Sequence, residues 1–284
     1  MTRMRLRPPA GTRIALATGV AVLFASVAFA QFGFGFRGDG NAAARYPTAL
    51  RKDRAFSFCR IQYTSVRREP SGSGWRTDYP YGEINLMIRL SELTKTPVSF
   101  EAARQPEHYV VRMTDPALFE CPLTMASDVG TIGLSAAEAE QLRLYLLKGG
   151  FLWVDDFWGT AAWQQWSREI AKAFPPSEYP IQDVPMSDPI FNSQFTITKV
   201  PQITNIGFWR GSRGRETSER GADSRHVDFR VIRDLKGRIM VVMTHNTDVA
   251  DSWEREGEDP GFFYQFSPSG YALGINVLLY AMTH

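Results

Sequence analysis

Residues 56–63 read Phe-Ser-Phe-Cys-Arg-Ile-Gln-Tyr, an aromatic and β-branched stretch that predicts a first strand. From Glu83 to Thr94 the spacing changes. Ile84, Met87 and Ile88 fall on one side and Leu86, Leu90 and Leu93 lie close by, which predicts a helix. Residues 97–101, 109–113 and 122–126 read as short extended segments. Ser135-Ala-Ala-Glu138 is a capping box, in which the hydroxyl accepts from a backbone amide and the Glu reaches back. It opens a helix through Lys148, with Leu142, Tyr145 and Leu146 inward and Gly149 or Gly150 as its left-handed stop. Phe151-Leu-Trp-Val154 then reads as a strand covered on both faces. Residues 161–174 carry Trp163, Trp166, Ile170 and Phe174 near helical spacing. Strands and helices alternating at this rhythm predict a parallel sheet with crossover helices.

The second half reads differently. Residues 179–195 are proline-rich and are expected to wrap the domain, and residues 203–209 are expected to form a strand. Residues 210–225 are polar and turn-rich, so Arg210, Arg213, Arg215, Arg220 and Arg225 read as solvated charges. Residues 227–234 and 239–244, joined through Lys236-Gly237, read as a hairpin added to the sheet. Residues 270–284 form an amphipathic closing helix. No internal repeat is present. The fold class is α/β, a three-layer sandwich with a mostly parallel sheet and an added C-terminal hairpin.

The first thirty residues alter how the charge is read. Arg3, Arg5, Arg7 and Arg13 precede an apolar run that ends in Ala28-Phe29-Ala30. This is the layout of a signal peptide (1–30) cleaved after Ala30, so the protein is expected in the periplasm or secreted. Residues 31–54 read as a flexible leader and 55–284 as a single domain. The leader contains Gly33-Phe-Gly35-Phe-Arg-Gly38, which matches a dinucleotide fingerprint in letters only, since no strand precedes it and no helix follows. The full chain carries 32 basic and 30 acidic residues; without the four signal arginines the balance is 28 to 30. That near-neutrality argues against nucleic-acid partners. After signal removal no segment is long and apolar enough to span a membrane. Of the two cysteines, Cys59 lies in a core strand and Cys121 just before another. They read as buried free thiols, although export makes a disulfide chemically possible.

In a parallel α/β sheet, ligands bind beyond the carboxyl ends of the strands. Asp155 and Asp156 stand there for the fourth strand and Asp128 for the third. Trp75, Asp78 and Tyr79 lie in the loop after the first strand, and His245, Asn246 and Asp248 end the returning strand of the hairpin. These nine residues are the candidate ligand-binding set. Adjacent residues in extended chain face opposite ways, so one of Asp155 and Asp156 is expected to face the crevice while the other caps the next helix. Taken singly, each Asp after a strand is equally a turn former. His108 and His226 read as surface or loop residues. Neither H-E-x-x-H nor paired C-x-x-C is present, and there is no G-x-S-x-G and no Walker sequence. No cofactor and no resident metal are assigned.

Several segments together resemble a bacterial family, domain-of-unknown-function family 4159. They are Leu146-Leu-Lys-Gly-Gly-Phe-Leu-Trp-Val-Asp-Asp156, Pro189-Ile-Phe, Lys236-Gly-Arg238 leading to Asn246-x-Asp248 and Trp253, and Gly274-Ile-Asn276 through His284. The likeness covers residues 55–284 and implies a flavodoxin-like sheet of the class I glutamine amidotransferase-like superfamily, with members often exported or membrane-tethered. Amidotransferases place a nucleophilic Cys in the turn after the third strand. The corresponding turn here, Ala126-Ser-Asp-Val-Gly130, has none, and Cys121 lies at the other end of that strand. Thiolate catalysis is therefore not expected. The expected function is an exported, non-catalytic binding module whose crevice holds a polar ligand or an envelope protein partner. A metal-assisted or carboxylate-based hydrolase, with carbohydrate as its candidate substrate, and a component of a cell-envelope complex are the alternatives.

Overall fold

The computed structural model describes residues 42–47, 55–101 and 104–284. Residues 1–30, read above as a signal peptide, and most of residues 31–54 lie outside the described residues. In chain order the elements are β1 (Phe58–Gln62), β2 (Thr64–Ser65), α1 (Tyr81–Leu93), β3 (His108–Arg112), β4 (Thr124–Ser127), β5 (Ile132–Gly133), α2 (Ala136–Leu147), β6 (Leu152–Phe157), α3 (Gly159–Ala173), β7 (Gln182–Asp183), α4 (Ile206–Gly211), β8 (Asp228–Arg233), β9 (Ile239–His245), α5 (Asp251–Glu254) and α6 (Pro260–Thr283).

Seven strands form one sheet in the order β3-β1-β4-β6-β9-β8-β7, and β2 and β5 form a separate small pair. The five strands from β3 to β9 run parallel. β8 is antiparallel to β9, and β7 to β8. β4 and β9 are buried at every position, and β6 at all but Asp156, because helices cover both faces. On one face α1 and α6 pack Leu86, Met87, Leu90 and Leu278 against Met125, Trp153 and Val242. On the other, α2 and α3 supply Leu142, Tyr145, Leu146, Trp166 and Ile170. The chain is thus α/β with a mostly parallel sheet between helical layers.

Some expectations change. Residues 206–211 are a short helix, not a strand, because the Asn205 side chain caps it by accepting from the Gly207 and Phe208 amides. The closing helix begins at Pro260 and runs through Pro268. Pro268 lacks only its bond to the carbonyl of Tyr264, a residue exposed to water, so the break that proline usually imposes is tolerated. The last two long strands, β8 and β9, pair antiparallel, and β9 also joins the parallel strands beside β6. His108 is buried in β3, against the surface reading, with its ring against Tyr79. Burial, which penalises the charged imidazolium, lowers its pKa.

Cys59 and Cys121 form a disulfide, with Cα atoms 6.0 Å apart. The register that sets Cys59 beside Thr124 carries Cys121 within reach, a proximity that strand pairing creates and spacing alone does not reveal. Part of the leader is also anchored. The carbonyl of Arg45 accepts from the Val110 amide at 2.8 Å, and Arg76 Nη1 donates to the Ala42 carbonyl at 2.7 Å.

Candidate functional site

Because β1, β4, β6 and β9 all point the same way, their carboxyl ends meet at one rim. Three residues there, Asp128 (φ 54°), Asp156 (φ 53°) and Asn246 (φ 62°), adopt left-handed backbone, as does Asp78 (φ 66°) in the loop after β1. Asp and Asn tolerate this region better than other side chains, yet it remains sparsely populated. Non-glycine residues held there concentrate at functional sites. Gly72 lies over Asp128; a Cβ at that position would strike the carboxylate.

Carboxylate oxygens of Asp78, Asp156 and Asp248 all lie within 4.8 Å of one another. A second trio, Asp78, Asp251 and Glu254, meets the same limit. Asp78 belongs to both and is anchored from behind. Ser127 Oγ donates to Asp78 Oδ2 at 2.8 Å and receives Arg60 Nη1 at 2.6 Å, while Arg60 Nε pairs with Glu83. Arg60 Nη2 and Glu83 Oε2 are buried without a partner. Asp156 Oδ1 accepts from Trp158 Nε1 at 2.8 Å and Asp248 Oδ1 from the Asp251 amide at 2.9 Å. The other oxygen of each accepts no hydrogen bond among the described residues. Arg255 sits 3.3 Å from Asp251 and 2.8 Å from Glu254. At the mouth, Arg220 bridges Glu69 (3.4 Å) and Glu219 (3.3 Å).

The cleft between these groups is lined by Glu69, Asp128, Asp156, Glu219, Arg220 and Asp248, among others.

Burial drives the acids of this cluster toward their neutral forms, and their mutual repulsion adds to it. Asp156 and Asp248 are pushed well above the ordinary carboxylate range, first by burial and then by each other's neighbours: Asp78 and Glu219 act on Asp156, Asp156 and Asp78 on Asp248. Burial also raises Asp78, although Arg60 opposes it. Asp128 rises to about 7 by burial, with Glu69 and Asp78 adding repulsion and the Gly74 amide opposing. Burial takes Asp251 to about 7 and Glu254 to about 9. Clustered buried carboxylates are held either by shared protons or by a cation.

The nine residues expected at the crevice separate in the structure. Asp78, Asp128, Asp156 and Asp248 come together as anticipated. Asp155 turns inward, accepting from Thr244 Oγ1 at 2.5 Å and the Ala250 amide at 3.0 Å, and is raised to about 7 by burial. It does not cap α3. That role falls to Asn246, whose Oδ1 accepts from the Gly159 amide, and to Asp223 at Thr160. His245 stands apart from the acids. Its ring packs against both Phe157 and Trp163, which stack on each other, with Nδ1 2.9 Å from Asp228 and Nε2 3.1 Å from the Gly159 carbonyl. Burial alone would raise Asp228, but the His245 bond and Arg230 hold its pKa below the usual range. Trp75 and Tyr79 are core residues, their rings 5.7 Å apart, and offer no platform to a ligand.

Asp251 and Glu254 were missed although a signal existed. Asp248, Asp251 and Glu254 recur every three residues, which stacks them on one side of a helical turn. Glu69 and Glu219 arrive on irregular loops and leave no such trace. Oxygen donors without His or Cys suit a hard divalent cation such as Mg²⁺, Ca²⁺ or Mn²⁺ rather than zinc. Among the described residues no helix is long and apolar enough to cross a membrane. No curated protein matches the chain. The family model described as Domain of unknown function (DUF4159) matches residues 57–282, nearly every position of the sheet and of the acid-lined rim, and the chain belongs to that family.

Proposed function

We propose that this protein is an exported binding module that holds a divalent cation in the cleft at the strand ends, with Asp78, Asp156 and Asp248 as ligands. The observation that carries the proposal is the meeting of those three carboxylates within 4.8 Å, where Asp78 and Asp248 are buried. Each ionised carboxylate there is costly without a positive partner, and among the described residues none of the three forms an ion pair, Arg60 bonding to Ser127, which in turn bonds to Asp78. A cation supplies that charge and takes oxygen ligands of this type. Export is supported by the signal-like first thirty residues and by the disulfide, which persists in an oxidising compartment. The five parallel strands, numbered among themselves, follow the order 2-1-3-4-5, which supports the flavodoxin-like and amidotransferase-like reading. The cation would present its open coordination positions to a polar ligand or an envelope partner at the Glu69–Glu219 mouth.

Calorimetric titration of Ca²⁺, Mg²⁺ and Mn²⁺ into chelator-treated protein tests this. Binding of one ion is expected, and it is expected to vanish in Asp156→Asn and Asp248→Asn. Absence of binding and of thermal stabilisation at millimolar concentrations of all three ions would reject the cation.

One observation favours a second reading, metal-assisted hydrolysis. Asp128 shares the cleft, and its pKa near 7 suits a general base acting on a cation-bound water. Hydrolysis of model phosphate and glycosyl esters that requires both the ion and Asp128 would establish it.

A further inference from the structure

A second depression lies away from the acids, at the antiparallel edge of the sheet. Strand β7 pairs with β8 through Gln182 with Val231 and Asp183 with Arg230. The Val184 amide still donates to the Phe229 carbonyl at 3.3 Å. Pro185, which has no N–H to give, then turns the chain away, with its carbonyl accepting from the Asp188 amide. β8 therefore continues past the point where β7 leaves it. By the two-residue alternation of a strand, the next main-chain N–H and C=O on this edge belong to Val227, and neither has a partner among the described residues. The departure leaves an open groove lined by Thr198, Lys199 and Val200 together with Arg225, His226 and Val227.

The charges in the groove are unequally satisfied. Asp183 and Asp228 both pair with Arg230, and Asp228 also meets His245. Lys199 and Arg225 form no ion pair among the described residues. Apolar side chains of Val184, Val200 and Phe229 line the floor. An open strand edge with alternating apolar pockets accepts an extended chain, and the two unpaired cations select its charge. Residues 31–54 of this chain carry five basic and two acidic side chains, the wrong sign for that edge.

We infer that this groove is a docking site for an extended acidic peptide segment of a partner protein, which adds as a strand to β8 at Val227 while Lys199 and Arg225 pair with its carboxylates. The site is separate from the cation cleft and does not depend on it.

The test uses the full chain in chelator, so that the cleft contributes nothing. Three fluorescent hexapeptides are compared by anisotropy: Glu-Val-Asp-Val-Glu-Val, the same sequence with Lys at each acidic position, and the acidic sequence with two central residues replaced by Pro. The acidic peptide is expected to bind roughly tenfold more tightly than the lysine version. The double variant K199E/R225E, both positions being exposed, is expected to invert that preference with unchanged circular dichroism. Amide exchange at Val227 should slow on binding, and the proline peptide should fail. Failure of the acidic peptide to bind below about 1 mM, equal binding of both charges, or indifference to K199E/R225E overturns the proposal. Equal binding of the proline peptide also overturns it, since docking would then need no strand pairing.

Discussion

Asp155 and Asp156 are neighbours in sequence and face different worlds. Asp155 accepts from Thr244 and Ala250 within the core, while Asp156, at φ 53°, opens onto the acid-lined cleft. The strand register shifts between Val154 and Phe157, which is what lets the second carboxylate leave the sheet.

The two positions are therefore expected to answer mutation oppositely. Asp155→Ala strips the Ala250 amide of its acceptor, and a buried orphan donor costs about 1–3 kcal/mol. Asp156→Asn keeps an acceptor for Trp158 and removes a buried carboxyl that must either stay protonated or repel its acidic neighbours, so the cation-free protein should gain stability at pH 8. Urea denaturation of the two variants separates these outcomes; equal destabilisation would show that Asp156 is also a structural anchor.

The raised acids set the pH dependence of the cation-free protein. Asp128, Asp155 and Asp251, near 7, and Glu254, near 9, bind protons in the folded state at pH values where the unfolded chain, with carboxylates near ~4, has released them. Between about pH 4 and 7 the folded state then holds more protons, so stability falls as pH rises through the folded values. In chelator, Tm is expected to drop between pH 5 and 8, and millimolar divalent cation should restore it most at pH 8. A Tm that climbs over this range in chelator would contradict the cluster's protonation.

Gly72 closes the loop over Asp128. Gly72→Val should displace that carboxylate or lift the loop and lower cation affinity by roughly tenfold, about 1.4 kcal/mol, while leaving the far-ultraviolet circular dichroism unchanged. Titration calorimetry reads the loss; unchanged affinity would place Asp128 outside the cation's influence.

The disulfide ties β1 to the approach of β4 across a separation of 62 residues. In the chain-entropy picture a loop of that size contributes about 4 kcal/mol. The C59A/C121A double variant is expected to melt roughly 10 °C lower at about 2–4 °C per kcal/mol. An unshifted melting temperature would mean that the cysteines are not joined in the purified protein.

The main strands and helices from β1 to α3 were legible in the sequence because each carries its own period: the buried run Phe151–Val154, the capping box at Ser135 and the apolar stripe of α3 are local signals, whereas residues 97–101 make only isolated bridges and the short β2 and β5 left no signal. The same holds for four of the rim acids, since a parallel sheet puts strand ends together. Local signals fail where distant segments decide the outcome. Neither the Cys59–Cys121 pair nor the placement of β9 inside the sheet follows from spacing along the chain. The inward turn of Asp155, the removal of His245 to an aromatic slot and the arrival of Glu69 and Glu219 at the mouth were decided by packing. A carboxylate's role depends on what surrounds it in space, and burial and neighbouring charge are set by the tertiary fold.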